Sequence, residues 1–573
     1  MKKTIAFFVL ALMSAGLYAQ SIAPLAYMYS GMENSTNNFY GTARSVALGE
    51  AMTAVGGDLG SVVINPAGAA VNKYSQIAIT PGITVSSVTS AYSSSGPEKY
   101  GSSKVNNKAR VGLPGVGATI TTNSGNEYGI RSFSFSIIAS QTQDYNSFFM
   151  AGGSNSKTSL LTEFAQSACG YTDKQLSEYG NGVSWDLVAG YKGRLFGGID
   201  TDWYAGNSSV ENKYGDFCIP AALAQSSTLT TSGYKRDLLM NFAWDISGKL
   251  MLGFNLGIPM MYKTQQEAYY ESPYGDYTDF YIALPDDKGK MVDTYYTGAY
   301  YKYNQYTRMS GVYAKFGAIY LPTDNLRIGA AIQTPTAYTV TEGYRYYAGS
   351  EYENSSVDGY SYSPEDEWSY RMRSPWSFNV GLACTMPGKG LFSVDYELVD
   401  YSVMEMQEID SDGSYFYNVN QTVQQFLGAS HNLRFGLEYK VNPMVSLRAG
   451  YGVRTSAEKY WTDASGAKEI TTEMYYNETS KYMGALGKSK YYKDKTRSVS
   501  FGAGYSSPGS FFADFAVRLN KYPSTVYRPF YDYDHYDIDG NWHELGTASE
   551  ELSPRILNNS RLWDVMITFG WRF

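Results

Sequence analysis

Residues 561–573, RLWDVMITFGWRF, close the chain on a strict alternation. Trp563, Val565, Ile567, Phe569, Trp571 and Phe573 are all apolar, and Asp564, Thr568, Gly570 and Arg572 fall between them. A strand turns successive side chains to opposite faces, so this spacing predicts one wholly apolar face and one polar face. A soluble sandwich can use such a strand. An apolar face that carries two tryptophans and ends on a terminal phenylalanine instead fits the closing strand of a membrane barrel, with lipid on one side and aromatic girdles at the interfaces.

The same pattern recurs upstream. Leu433, Phe435, Leu437 and Tyr439 alternate with Arg434, Gly436, Glu438 and Lys440. Leu250, Leu252, Phe254, Leu256 and Ile258 alternate with Met251, Gly253, Asn255 and Gly257. Leu326, Ile328, Ala330 and Ile332, then Trp376, Phe378, Val380 and Leu382, repeat it. Periodicity alone does not say which face is inside. Composition favours a polar lumen. The mean hydropathy is only −0.32, yet the chain holds 55 Tyr, 26 Phe and 57 Gly. No run approaches the ~20 apolar residues of a spanning helix, whereas barrel strands alternate and keep average hydropathy low. The net charge of −8 comes with no basic stripe, so no nucleic-acid partner is expected.

The N-terminus fits an export signal. Lys2 and Lys3 precede the apolar run IAFFVLALM, and small residues lead to Ala19. Residues 1–19 are therefore expected to be a cleaved signal peptide. Cys169 and Cys218 share one long inter-strand segment and could pair after export; Cys384 lies in a strand pattern as a small apolar residue. No metal site and no cofactor is expected.

Six short turns and seven longer, tyrosine-rich segments separate fourteen strands from about residue 73 onward. The short turns include NSGN, PTDN, PGKG and SSPG. An even count with short turns on one side and long loops on the other predicts an all-β, 14-stranded antiparallel transmembrane β-barrel over 73–573. In the longest loop, Leu160, Leu161, Phe164 and Ala168 fall at helical spacing; 416–431 is a second, weaker helical pattern.

Residues 20–72 are too few for a core of their own. Val46, Leu48, Ala51, Met52 and Val55 predict one short helix stopped by Gly56-Gly57, and Val62-Val63-Ile64 predict lumen packing or a strand-like contact. Asn65-Pro66 then breaks the chain. An irregular segment of this kind is tolerated at membrane depth where a barrel shelters it.

The run from Ala43 to Ala51, ARSVALGEA, followed by Ala54-Val55, Asp58 and Asn65-Pro66-Ala67-Gly68, resembles the N-terminal hatch of the FadL/TodX family. The resemblance is sharpest over 41–70 and continues diffusely through GAAIQTPT at 329–336 and SPWSFNVG at 374–381. It implies an outer-membrane barrel plugged by a hatch at 20–72, with Asn65, Pro66 and Ala67 as the hatch motif. It also implies passive uptake of long-chain fatty acids or other hydrophobic small molecules. Outer-membrane lipids and the barrel-assembly machinery are the implied partners. In the family the cargo leaves sideways at a kink in the third strand.

The candidate for that kink is Ile137-Ile138 in YGIRSFSFSIIASQ, where two isoleucines interrupt the alternation. The plain alternative is that Ile138 is an apolar residue facing the lumen. Arg327, Arg373, Arg434, Arg448 and Arg518 share the polar face and suit a ligand carboxylate. The competing reading pairs them with Asp395, Glu397, Glu438 and Asp514 in a lumen network. An enzyme is disfavoured: the chain has only His431, His535 and His543, and Ser430-His431 neighbours point to opposite faces. A surface receptor or adhesin using tyrosine-rich loops for a protein, heme or glycan remains the rival class.

Overall fold

Fourteen long antiparallel strands dominate the computed structural model, which describes residues 19–94, 100–200, 202–409, 415–466, 468–472, 475, 486–530, 535–543 and 554–573. They are β1 (Gln76–Ser93), β2 (Lys104–Asn123), β3 (Ile130–Asp144, resumed at Ser147–Asn155), β4 (Leu223–Ile246), β5 (Leu250–Pro273) and β6 (Tyr296–Tyr320). Next come β7 (Leu326–Gln333 and Ala337–Tyr352), β8 (Asp366–Arg373 and Ser377–Met386), β9 (Gly390–Asp400 and Glu405–Glu408) and β10 (Ala429–Lys440). The ring ends with β11 (Val445–Thr455), β12 (Lys495–Ser506), β13 (Phe511–Lys521 and Thr525–Tyr527) and β14 (Arg555–Arg572). Each pairs with its neighbour in sequence, and β14 pairs with β1 from Gln76↔Arg572 to Ser93↔Arg555, which closes the barrel. Both ends meet at the short-turn rim, where Ser75 and Phe573 exchange backbone hydrogen bonds of 3.0 Å.

The two faces are unambiguous. Ile77, Val116, Leu252, Phe316, Ile328, Phe378, Val380, Leu437, Phe501, Ile567 and Phe569 are exposed on the outside. Thr80, Thr119, Asn241, Asn255, Lys315, Asp395, Arg434, Ser500, Asp514, Arg518 and Asp564 are buried within. Tyr320, Tyr439, Tyr505, Trp571 and Phe573 stand exposed near the short-turn rim, as an interfacial girdle does. The closed ring, apolar belt and girdle make this a transmembrane barrel of the outer-membrane type.

Three of the interrupted strands break at a proline. Pro335 separates the halves of β7, Pro375 those of β8 and Pro523 those of β13. Proline has no N–H to give the ladder, so the pairing lapses there. Much of what reads in sequence as tyrosine-rich loop is strand. β4 and β5 each run 24 residues and β6 runs 25, well beyond the ~9–11 that cross a bilayer. Their loop-side ends form a wall above the membrane. Its inner face packs Tyr269, Tyr301, Tyr303 and Tyr346 against Leu160, Leu161, Phe164 and Ala168 of the long β3–β4 insertion.

Ahead of β1 the chain forms α1 (Ala19–Ser35), α2 (Ala43–Ala47) and α3 (Leu59–Ile64), then a 3-10 turn over Pro66–Val71. In the loop layer lie α4 (Leu160–Ala168) and α5 (Tyr417–Phe426), at both places where helical spacing occurs in the sequence. The expected single helix through Val55 is shorter than its pattern. Thr42 and Ser45 form a capping box that starts α2. Gly49 and Glu50 then adopt φ of 62° and 63°, a left-handed pair that ends it. Val62-Val63-Ile64 belong to α3 rather than to a strand, because Asp58 caps Gly60 N. Of the expected signal peptide, residues 1–18 lie outside those described, and the expected cut after Ala19 falls at the first residues of α1. Cys169, Cys218 and Cys384 are free thiols in this structure, and Cys169 and Cys218 are not joined.

Candidate functional site

The segment between α1 and β1 lies inside the ring, and its backbone is held by lumen side chains from many strands. Lys315 Nζ donates to Val63 O at 2.9 Å, Asn255 Nδ2 to Val62 O at 2.9 Å and Asn241 Nδ2 to Pro66 O at 3.0 Å. Thr568 Oγ1 accepts from Ala43 N at 2.7 Å, and Asp395 Oδ2 accepts from Thr53 N at 2.7 Å. A barrel wall has no spare backbone donors, so side chains supply the partners that a buried irregular segment requires.

Asn65 is the densest of these anchor points. Its Nδ2 donates to Thr53 O at 2.6 Å and to Ala318 O of β6 at 3.1 Å. Its Oδ1 accepts from Ala67 N at 3.1 Å, which caps the 3-10 turn that Pro66 opens. One amide thus joins the turn, the segment's own preceding loop and the barrel wall. The wall makes room for it: a Cβ on Gly317 would strike Asn65 Oδ1, and one on Gly253 would strike Ala67 N.

The arginines singled out from sequence are engaged within the chain. Arg518 donates to Glu50 of the inner segment, to Asp564 Oδ2 at 2.9 Å and to Phe39 O at 3.0 Å. Arg448 joins Glu438 and Asp514, both at 2.6 Å, and Glu438 also takes Arg44 of α2 at 3.0 Å. Arg434 contacts Glu397 at 3.4 Å and donates to Asn379 Oδ1 at 2.9 Å. Arg327 donates to Val55 O at 2.5 Å. Arg373 is a correction: it lies on the outer face, 60 % exposed, beside Glu405. Alternation counted back from Trp376 puts it inside, but the break at Ser374-Pro375 flips the parity, and Tyr370 and Met372 take the inner positions.

The strand-kink candidate also moves. β3 alternates regularly through Ile137 and Ile138, with Ile137 outside and Ile138 buried against the inner segment. The register slips instead between Gln141 and Gln143 against β4, and the strand lapses before Ser147. On its other side the ladder to β2 ends at Gly115↔Ser140, next to Pro114. The carbonyls freed by this break are not left bare. Asn38 N donates to Thr142 O at 2.7 Å, and Tyr40 N to Gln141 O at 3.1 Å. The inner segment therefore stands in for the missing strand pairing.

Directly above lies a cavity of about 320 Å³. Met32 of α1, Tyr145, Phe149, Leu229, Tyr527 and Leu562 give it apolar walls, while Asp144, Lys263, Arg454 and Glu458 border it with charge. Lys263 is spoken for by Glu33 at 2.6 Å, and Arg454 by Asn38 Oδ1 and Asn37 O, both at 2.9 Å. Glu458, in the β11–β12 loop, is 6 % exposed and meets Tyr29 OH at 3.5 Å. Burial, with Asp494 nearby, pushes its carboxyl up to about 8. The cavity's volume is at the lower end of small-molecule pockets.

Sequence reading misses α1. Its side chains pack on several sides, with Leu25, Tyr27 and Met28 against Tyr370, Met404, Phe416 and Phe426, so no single apolar stripe marks it. It also misses Asn241, Asn255 and Lys315. Their signal is present, as amide and ammonium groups that alternate with outward apolar residues such as Phe242, Phe254 and Phe316. Ser430 Oγ donates to Thr455 O, and His431 Nδ1 meets Tyr396 OH at 2.7 Å on the outer side.

No family model and no curated protein matches this chain. Among solved structures it is similar to the P. putida toluene transporter TodX, at 12 % identity and a TM-score of 0.45, over 94 % of this chain and 99 % of that one. A Pseudomonas aeruginosa FadL homologue gives 11 % and 0.44 over 93 % and 99 %. The Ralstonia pickettii toluene transporter TbuX gives 13 % and 0.43 over 94 % and 99 %.

Proposed function

We propose that the chain is a passive outer-membrane uptake channel for a hydrophobic small molecule, with residues 20–72 as its hatch and residues 1–19 as a cleaved export signal. The observation that carries this reading is the cavity of about 320 Å³ set against the break in β3. Cargo enters from the loop side, rests between Met32, Tyr145 and Phe149, and leaves sideways between β2 and β3 into the bilayer. The arrangement fits this route because the stretch from Phe39 to the Pro66 turn fills the lumen below the cavity, with α1 packed beside it toward the loops. A straight path to the short-turn rim requires the hatch to move. The hatch-like run at 41–70 agrees with it.

The lumen arginines serve the hatch in this reading, not a ligand carboxylate. Arg518, Arg448 and Arg327 clamp Glu50, the Glu438–Arg44 pair and Val55 O. Apolar contact then selects the cargo, and a long-chain fatty acid is accepted for its tail. Uptake of radiolabelled oleate and of toluene by cells lacking the gene, with and without the complementing chain, tests this. Restored uptake of either supports the channel. Equal uptake in both strains would contradict it and favour a surface receptor.

A further inference from the structure

The seam between β2 and β3 is closed in an unusual way. From Lys104 to Gly112, β2 pairs with β1 alone, and from Ser147 to Asn155 the resumed β3 pairs with β4 alone. Among the described residues, side chains cross this gap where a ladder otherwise would. Lys108 Nζ reaches over β3 to Thr231 O at 2.7 Å and Ser232 Oγ at 2.6 Å. Arg110 Nε donates to Asp144 Oδ2 at 3.1 Å, and its Nη2 donates to Gln141 Oε1 at 2.9 Å. From β4, Arg236 Nη2 donates to Leu113 O at 2.8 Å. The guanidinium carbons of Arg110 and Arg236 both lie 5.1 Å from the centroid of the Tyr234 ring.

We infer that Arg110, Tyr234 and Arg236 form a latch that holds the β2–β3 seam shut until cargo reaches the cavity. This rests on the sideways exit proposed above. A ladder closes a sheet cooperatively; these side-chain contacts break singly. Tyr234 links a cation from β2 to a cation from β4, each attracted to the ring. The two like charges oppose each other across it, and Asp144 offsets that on the Arg110 side. Arg236 Nε is buried without a partner among the described residues, so the shut state leaves one donor unserved. Asp144 also lines the cavity. Cargo lodged beside Asp144 and Tyr145 therefore presses on the group that holds Arg110, which couples occupancy to opening.

The test uses the full chain in cells, with radiolabelled oleate and toluene as probes and heat-modifiable gel migration as the check on folding. Arg236→Gln is expected to raise initial uptake by about fivefold, the factor that losing one cation–π contact implies, and Tyr234→Leu, which removes both contacts, by about 25-fold. Both should also expose Lys108→Cys to a maleimide while leaving the unfolding temperature unchanged, which a merely structural role would not do. A Lys108→Cys/Ser232→Cys pair joined by a short reducible bis-thiol crosslinker is expected to stop uptake, with recovery on reduction. If the crosslinked protein transports at the wild-type rate, the sideways exit itself fails. If crosslinking blocks transport but both latch variants match wild type in uptake and labelling, the exit stands and the latch is refuted.

Discussion

Replacing Asn65 by alanine isolates the proposed hatch from the barrel. Asn65 is fully buried and makes three hydrogen bonds, to Thr53 O, Ala318 O and Ala67 N. A buried hydrogen bond contributes about 1 kcal/mol net, so Asn65→Ala costs roughly 3 kcal/mol of local stability. Thr53 O loses a short partner at 2.6 Å, which puts the effect at that level rather than below it. By the usual conversion, roughly 3 kcal/mol raises the open population of the hatch about 150-fold. Hydrogen exchange by mass spectrometry reads this directly. Amides over 51–70 should exchange about 150-fold faster, while β5, β6 and β7 keep wild-type protection because their ladders are untouched. Gly317→Val provides an independent approach, since its side chain must displace Asn65 Oδ1 while Asn65 itself stays. Unchanged exchange over 51–70 in both variants would refute the anchoring role of Asn65. Equal loss of protection in the strands would show that the segment is part of the barrel's own core, not a separable hatch.

Further expectations concern the clamps and pH. Arg518→Met leaves Glu50 and Asp564 buried without their cation, which should cost about 3–5 kcal/mol and appear as a lowered unfolding temperature. Arg373→Ala, on the outer face beside Glu405, should change stability by less than about 1 kcal/mol in the same assay. Glu458 has a folded pKa of about 8, above the unfolded carboxylate value. Its contribution is therefore present at acidic pH and is lost as pH rises from about 4.3 through that folded value. Protection over 25–35, measured relative to the intrinsic exchange rate at each pH, should consequently rise on acidification from pH 9 to pH 6, and Glu458→Gln should flatten that dependence.

The barrel is legible because its rule is local. Period-two alternation in RLWDVMITFGWRF needs no knowledge of partners, and β10 and β14 appear where it does. The error at Arg373 comes from counting parity across a break. Extending the Trp376–Leu382 phase over Ser374-Pro375 turns Arg373 inward, yet pairing lapses there. Ile137-Ile138 looks irregular beside the preceding phenylalanines, but the slip lies at Gln141–Gln143, a stretch of small polar residues with no alternation to violate. The inner segment is legible in its caps, since Thr42, Asp58 and Asn65 each start a helical turn. Its anchoring is not, because Asn241, Asn255 and Lys315 each meet it across a separation of more than 170 residues.

The central claim is that a hydrophobic molecule occupies the space between the hatch and the β3 break. The most direct measurement is a density map of the protein isolated from outer membranes and soaked with oleate. The account predicts elongated apolar density in the cavity among Met32, Tyr145, Phe149 and Leu562, with Arg518, Arg448 and Arg434 still on their own carboxylates. Oleate found only among the outer loops, or with its carboxylate on those lumen arginines, would contradict it.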